Sequence, residues 1–185
     1  EQPKLNKFKQ LADDYRKKFS EMGREIKKWV EEFVSVKNET LNKIPCPFAK
    51  QAVLNDTIVY KEFSSDGVLS LRHQLYELVN IDWDDTKEVL VLYSDTNTMS
   101  VDDTQNTVKQ FNTTCKFLDK DLVALEDHPD DTEILNGVEM NFGKGILVLV
   151  QRLSKLNKAS AILKRQGYYN DWPEENYNDV VKWRE

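Results

Sequence analysis

The apolar positions of the first 36 residues repeat every seven. Leu5, Ala12, Phe19, Ile26 and Phe33 form one series, and Phe8, Tyr15, Met22, Trp29 and Val36 form a second, three positions later. Interleaved heptad series of this kind place one apolar stripe along one face of an α-helix. No proline interrupts residues 4–44, so ~35 residues of helix would extend ~50 Å at 1.5 Å per residue. Such a rod outreaches the domain it packs on. It must bend, break near Gly23, or project and pair with another chain. Large aromatics at these positions do not suit a simple two-stranded zipper. The second half is therefore expected to pack on the domain, and the first half to contact a second copy.

Beyond this stripe the pattern changes. Residues 37–46 are polar and end in Ile44-Pro45-Cys46-Pro47, where Pro47 fits the first turn of a short helix over 48–54. Helix and strand then alternate. Residues 57–63 are β-branched and aromatic, as a strand would be. Residues 67–80 read as a helix with Leu71, Leu75, Leu78 and Val79 on one face. Residues 88–93 are apolar on both sides, the mark of a central strand. Asp102 or Asp103 can cap a helix through Phe117, with Val108, Phe111, Cys115 and Leu118 inward. Residues 121–126 read as another buried strand. Residues 128–144 read as a loop of roughly fifteen residues, long enough to suspect a role in function. Residues 146–166 read as a helix with Gly167 at its end, although 146–150 suit a strand equally. The tail, 167–185, is aromatic and acidic, and Tyr168, Tyr169 and Trp172 would be costly to leave exposed, so it is expected to fold back. The order predicts an α/β or α+β fold. A small sandwich of three to four strands with helices (39–166) follows the long N-terminal amphipathic helix (1–38) and precedes the tail.

Composition narrows the function classes. The chain has 185 residues, 39% hydrophobic and 31% charged, with a net charge of -6. Excess negative charge argues against nucleic acid as a partner. No apolar run approaches the ~18–20 residues of a membrane helix. The charge is uneven: residues 1–28 carry nine basic and five acidic side chains, and residues 80–136 carry four basic and fourteen acidic ones. Solvated surface explains much of this, but a basic arm could also dock on the acidic half of another chain, or of its own. Cys46 and Cys115 lie 69 positions apart, without disulfide-framework or zinc-finger spacing. The first 30 residues hold no apolar core of a signal peptide. A cytoplasmic protein with reduced thiols is the expectation.

Two positions could carry chemistry. Cys46, at the start of a helix, would feel the positive end of the helix dipole, which favours a thiolate; the plain alternative is a thiol packed beside Phe48. His128 follows a strand at its carboxyl end, where site residues of open α/β sheets gather. Glu126 and Asp127 beside it could orient its ring, or the ring could simply cap a turn with Pro129. If the two side chains met, a Cys–His pair would suit nucleophilic catalysis or binding of a small molecule or metal. With two histidines in all, a three-histidine metal centre is excluded, and no cofactor is indicated. Asn141-Phe142-Gly143-Lys144-Gly145 precedes the last long helix, so Asn141 and Lys144 are candidate ligand-binding residues; the P-loop spacing is absent. Asp82, Asp84 and Asp85 share only acidity with a calcium loop.

Residues 28–34 (Lys-Trp-Val-Glu-Glu-Phe-Val), followed by Cys46-Pro47-Phe48-Ala49-Lys50, resemble the opening of a bacterial domain-of-unknown-function family. In that family a Trp-bearing helix leads into Cys-Pro-Phe-Ala. The family's later strand ending in His-Pro is matched by His128-Pro129. Its following loop and Leu-rich helix are matched loosely by residues 141–144 and 146–153. The resemblance spans about residues 26–161. Asp130-Asp131-Thr132 replace the family's aromatic residues, and its last-helix histidine has no counterpart in residues 147–152. The resemblance implies the fold and a site at Cys46 and His128, but no activity. Two functions stay open: a Cys46/His128 pocket for a small molecule or metal, with catalysis conceivable there, and a non-enzymatic interaction protein that forms a homodimer through its N-terminal helix.

Overall fold

Helix α1 (Gln2–Trp29) runs through Gly23 without a break and widens into a π-turn at Val30–Val34. It belongs to a computed structural model that describes residues 2–63, 67–80, 83 and 87–185, with side chains excepted at 2–5, 15, 16 and 18–20. The α1 stripe is buried at Met22 and Ile26, and Val30 of the π-turn is buried beside them. A Cβ placed on Gly23 would lie 2.7 Å from the Tyr93 hydroxyl oxygen. Glycine here lets the helix approach the sheet closely rather than breaking it.

Next come α2 (Pro47–Leu54), β1 (Ile58–Glu62), α3 (Val68–Leu78), β2 (Val89–Ser94), α4 (Val101–Phe117) and β3 (Val123–Asp127). A two-stranded hairpin, β4 (Ile134–Leu135) with β5 (Val138–Glu139), leads to β6 (Ile146–Gln151), α5 (Leu153–Arg165) and α6 (Glu174–Val180), and a 3-10 turn closes at Lys182–Arg184. The four-stranded sheet has the order β1-β2-β6-β3. β1 and β2 are parallel, and β6 is antiparallel to both β2 and β3. β6 is thus inserted between two mutually parallel strands joined by α4. The carboxyl ends of β1, β2 and β3 share one edge of the sheet, where β6 begins.

The chain is a mixed α/β fold, as the alternation of patterns predicts. The segment 146–166 divides into strand and helix at Arg152. Ile146, Val148 and Val150 join one core with Phe63, Leu71, Leu92 and Phe111 beneath α3 and α4. Leu147 joins another with Ile26, Val30, Ala52 and Val91 beneath α1 and α2. A run apolar on both faces fits a central strand covered on both sides. Residues 128–144 are no plain loop: their middle is the β4–β5 hairpin. The acidic stretch Asp82, Asp84 and Asp85 lies outside the described residues.

The tail folds back. The Tyr168 hydroxyl donates to the carbonyls of Ile44 and Pro45, and Lys43 Nζ donates to the Tyr168 carbonyl at 2.7 Å and pairs with Asp171. Val181 is fully buried. Arg184 is buried and donates to the Val180 carbonyl, to Asn157 Oδ1 and to Ser160 Oγ.

Candidate functional site

Cys46 is the N-cap of α2. Its extended backbone (φ -138°) precedes Pro47, and its Sγ accepts the Ala49 N–H at 3.4 Å. Its own N–H donates to the Val34 carbonyl at 2.9 Å, tying α2 to the π-turn. Burial pushes the thiol pKa up; the Ala49 and Phe48 N–H groups and the Arg184 charge pull it down without reversing the shift. The N–H groups at the start of α2 act on the sulfur, and desolvation outweighs them.

His128 stands at the shared carboxyl edge, 2% exposed. Its Nδ1 accepts the Asp130 N–H at 3.1 Å. Nδ1 is therefore the unprotonated nitrogen, and Nε2–H donates to the Met99 carbonyl at 2.9 Å. Both ring nitrogens are engaged by backbone. The ring pins the end of β3 to the segment that enters α4, one residue before its N-cap Ser100. Glu126 and Asp127 do not orient it through hydrogen bonds.

Asp127 instead accepts from Asn141 Nδ2 at 3.0 Å and from the Phe142 N–H at 3.1 Å. Burial raises the Asp127 pKa, and those two bonds and His128 act against the rise. Asn141 is the knot of this region. Its Nδ2 also lies 2.9 Å from the Asp131 carbonyl, and its Oδ1 accepts the Glu133 N–H. The amide holds the hairpin's base to the end of β3. Lys144 pairs with Glu25 of α1 at 3.6 Å, both exposed.

The four sequence candidates therefore divide. His128 and Asn141 share the carboxyl edge and meet through the His128 carbonyl, 3.4 Å from Asn141 Nδ2. Lys144 reaches α1. Cys46 faces the tail, where the Arg184 charge acts on it. No hydrogen bond joins Cys46 to His128 among the described residues. Nor do those residues contain a group of three or more His, Cys, Asp or Glu side chains placed to hold a metal ion.

A different feature is a concavity beside β3. β3 is an edge strand, and a cleft of about 1390 Å³ runs beside it between α4, the hairpin and α6. Leu125, Leu149 and Trp183 contribute apolar lining; nine lining residues are acidic and four are basic. Burial raises the Glu126 pKa, and the charges of Asp131, Asp127 and Glu133 add to the rise. Burial does the same to Glu133, with Asp127, Asp179 and Asp131 adding to it and a hydrogen bond from Asn176 opposing it. On the strand itself, the Asn112 side chain donates to the Ala124 carbonyl at 2.9 Å and accepts the Ala124 N–H at 2.8 Å. One amide thus replaces a neighbouring strand at that position. The excess of acidic residues in 80–136 was the signal for this cleft; its boundary with α6 had none, because the tail's position is a tertiary fact.

No protein-family model, no curated protein and no solved structure matches this chain.

Proposed function

We propose that this chain is a non-enzymatic interaction protein that associates through its N-terminal helix. The observation that carries the reading is the exposure of Phe8 (71%) and Leu11 (56%) on an unbroken helix whose stripe is sealed against the sheet further along. Burial of a Phe or Leu side chain is worth about 1.5–3 kcal/mol, so a partner surface gains from covering both. The net positive arm and the net negative domain favour a second copy as partner. Cys46 and Cys115 are both free thiols, which supports a reducing, cytoplasmic setting.

Light scattering of the intact protein at tens of micromolar tests this. The expected mass is about twice 21.6 kDa, falling to one chain in Phe8→Asp/Leu11→Asp. An unchanged mass in that variant overturns the reading.

A second reading keeps Cys46 as a reactive thiol in a small-molecule pocket. It is favoured by the Ala49 and Phe48 N–H groups and the Arg184 charge at the sulfur, and opposed by burial. Rapid alkylation of Cys46 in the folded protein, in a Cys115→Ser background, would support it.

A further inference from the structure

The exposed arm and the acidic cleft match one another in polarity and are opposite in net charge. The arm, residues 2–21, presents Phe8 and Leu11 on its surface, with Lys7, Lys9 and Lys17 also exposed. The cleft presents apolar residues beneath an acidic rim, to which Asp131, Glu175 and Asp179 contribute exposed carboxylates. We propose that the cleft beside β3 receives the N-terminal helix of a second copy, so that two chains exchange arms. The inference rests on the interaction reading above and names the surface that the arm meets.

Three observations select this occupant. First, charge: the arm, residues 2–21, has six basic and three acidic side chains, whereas nine acidic residues face four basic ones in the cleft. Two arms paired with one another would bring like net charges together; an arm in the cleft brings opposite ones. Second, shape and polarity: an amphipathic helix seats its apolar stripe on an apolar floor and its charges on the rim, and Leu125, Leu149 and Trp183, the last 48% exposed, line the cleft. Third, secondary structure: a strand edge ordinarily invites another strand, but the Asn112 amide occupies both backbone groups of Ala124. Strand addition is blocked there, and a helix remains. The crowded carboxylates raise one another's pKa values, and lysines docked among them would relieve that repulsion. Reciprocal exchange closes the assembly at two chains.

Mixing two defective variants tests the proposal. One has a broken arm and an intact cleft, Phe8→Asp/Leu11→Asp. The other has an intact arm and a reversed cleft, Asp131→Lys/Glu175→Lys/Asp179→Lys, all at exposed positions. Thermal melts confirm that both fold. Each alone should be monomeric by light scattering. Their equimolar mixture should form a one-to-one dimer, because the intact arm of the second enters the intact cleft of the first. Arm-to-arm pairing cannot give that result. A monomeric mixture, or a cleft variant that dimerises alone, overturns the cleft assignment while leaving association through the arm standing. Equal masses for the wild type and the arm variant overturn both. If the triple variant does not fold, Glu175→Gln/Asp179→Asn serves instead. It should weaken dimerisation about fivefold at low salt, and an unchanged dissociation constant overturns the cleft.

Discussion

Removing the His128 ring should unfold the protein sooner without touching the chemistry of Cys46. In His128→Ala the Met99 carbonyl and the Asp130 N–H lose their partners, at a site 2% exposed. Two hydrogen bonds contribute about 0.5–1.5 kcal/mol each, and the vacated ring leaves a cavity whose walls relax only partly. The sum is about 2–4 kcal/mol. For a chain of 150–250 residues each kcal/mol moves the midpoint about 2–4 °C, so calorimetry should show Tm lower by roughly 4–16 °C. His128→Phe separates the two contributions: it refills the space but leaves both backbone groups unpaired, and should recover only part of the loss. The same samples, in a Cys115→Ser background and still folded at 20 °C, should alkylate at Cys46 at the wild-type rate. A Tm within ~1 °C of wild type would refute the structural role. A Cys46 rate that drops when the ring is removed would refute the separation of the two residues.

Other perturbations follow from the same geometry. A Cβ on Gly145 would lie 2.9 Å from Met22 Sδ and 3.0 Å from the Ser94 carbonyl oxygen, so Gly145→Ala should destabilise by about 1–3 kcal/mol in urea melts. Asn112→Ala leaves the Ala124 N–H and carbonyl unpaired on the sheet edge and should cost about 1–3 kcal/mol. Asn112→Asp, which keeps an acceptor for the N–H but sets a carboxylate against the carbonyl, should rescue little. Glu126, Asp127 and Glu133 have folded pKa values above their unfolded ones, so the fold binds protons more tightly than the unfolded chain. Stability should therefore rise as pH falls from 7 towards the ordinary glutamate value of 4.5. Glu126→Gln/Glu133→Gln should be more stable at pH 7 and show a flatter profile.

The legible parts of this fold are those where periodicity is local. The α1 stripe, the helix over 101–117 and the doubly apolar strand over 89–94 follow from spacing alone, because burial on one face or two imposes a repeat. Residues 146–150 are ambiguous for the same reason: Ile-Leu-Val-Leu-Val is apolar throughout, and only its insertion between β2 and β3 makes it a strand. Gly23 suggests a break because sequence shows the missing side chain but not Tyr93 beneath it. The glycines beside Asn141 suggest a ligand residue, yet its amide is spent on Asp127 and on the backbone groups of Asp131 and Glu133. His128 stands at the strand's carboxyl end, as its position after residues 121–126 implies, but its partners are backbone groups of Met99 and Asp130, which no side-chain motif announces. Arg184 near Cys46 and the cleft beside β3 both depend on where the tail docks, a contact 120 or more residues distant in sequence.

Hydrogen–deuterium exchange along α1, measured at about 1 and 100 µM protein, tests the arm most directly. A projecting helix with no partner frays and exchanges quickly, whereas one held by a second chain is protected in proportion to occupancy. Amides of residues 6–14 should be protected at the high concentration and lose that protection on dilution, while those of residues 22–29, packed on the sheet, should not change. Exchange in residues 6–14 that is the same at both concentrations, in a protein that scatters as a single chain, would contradict association through the arm.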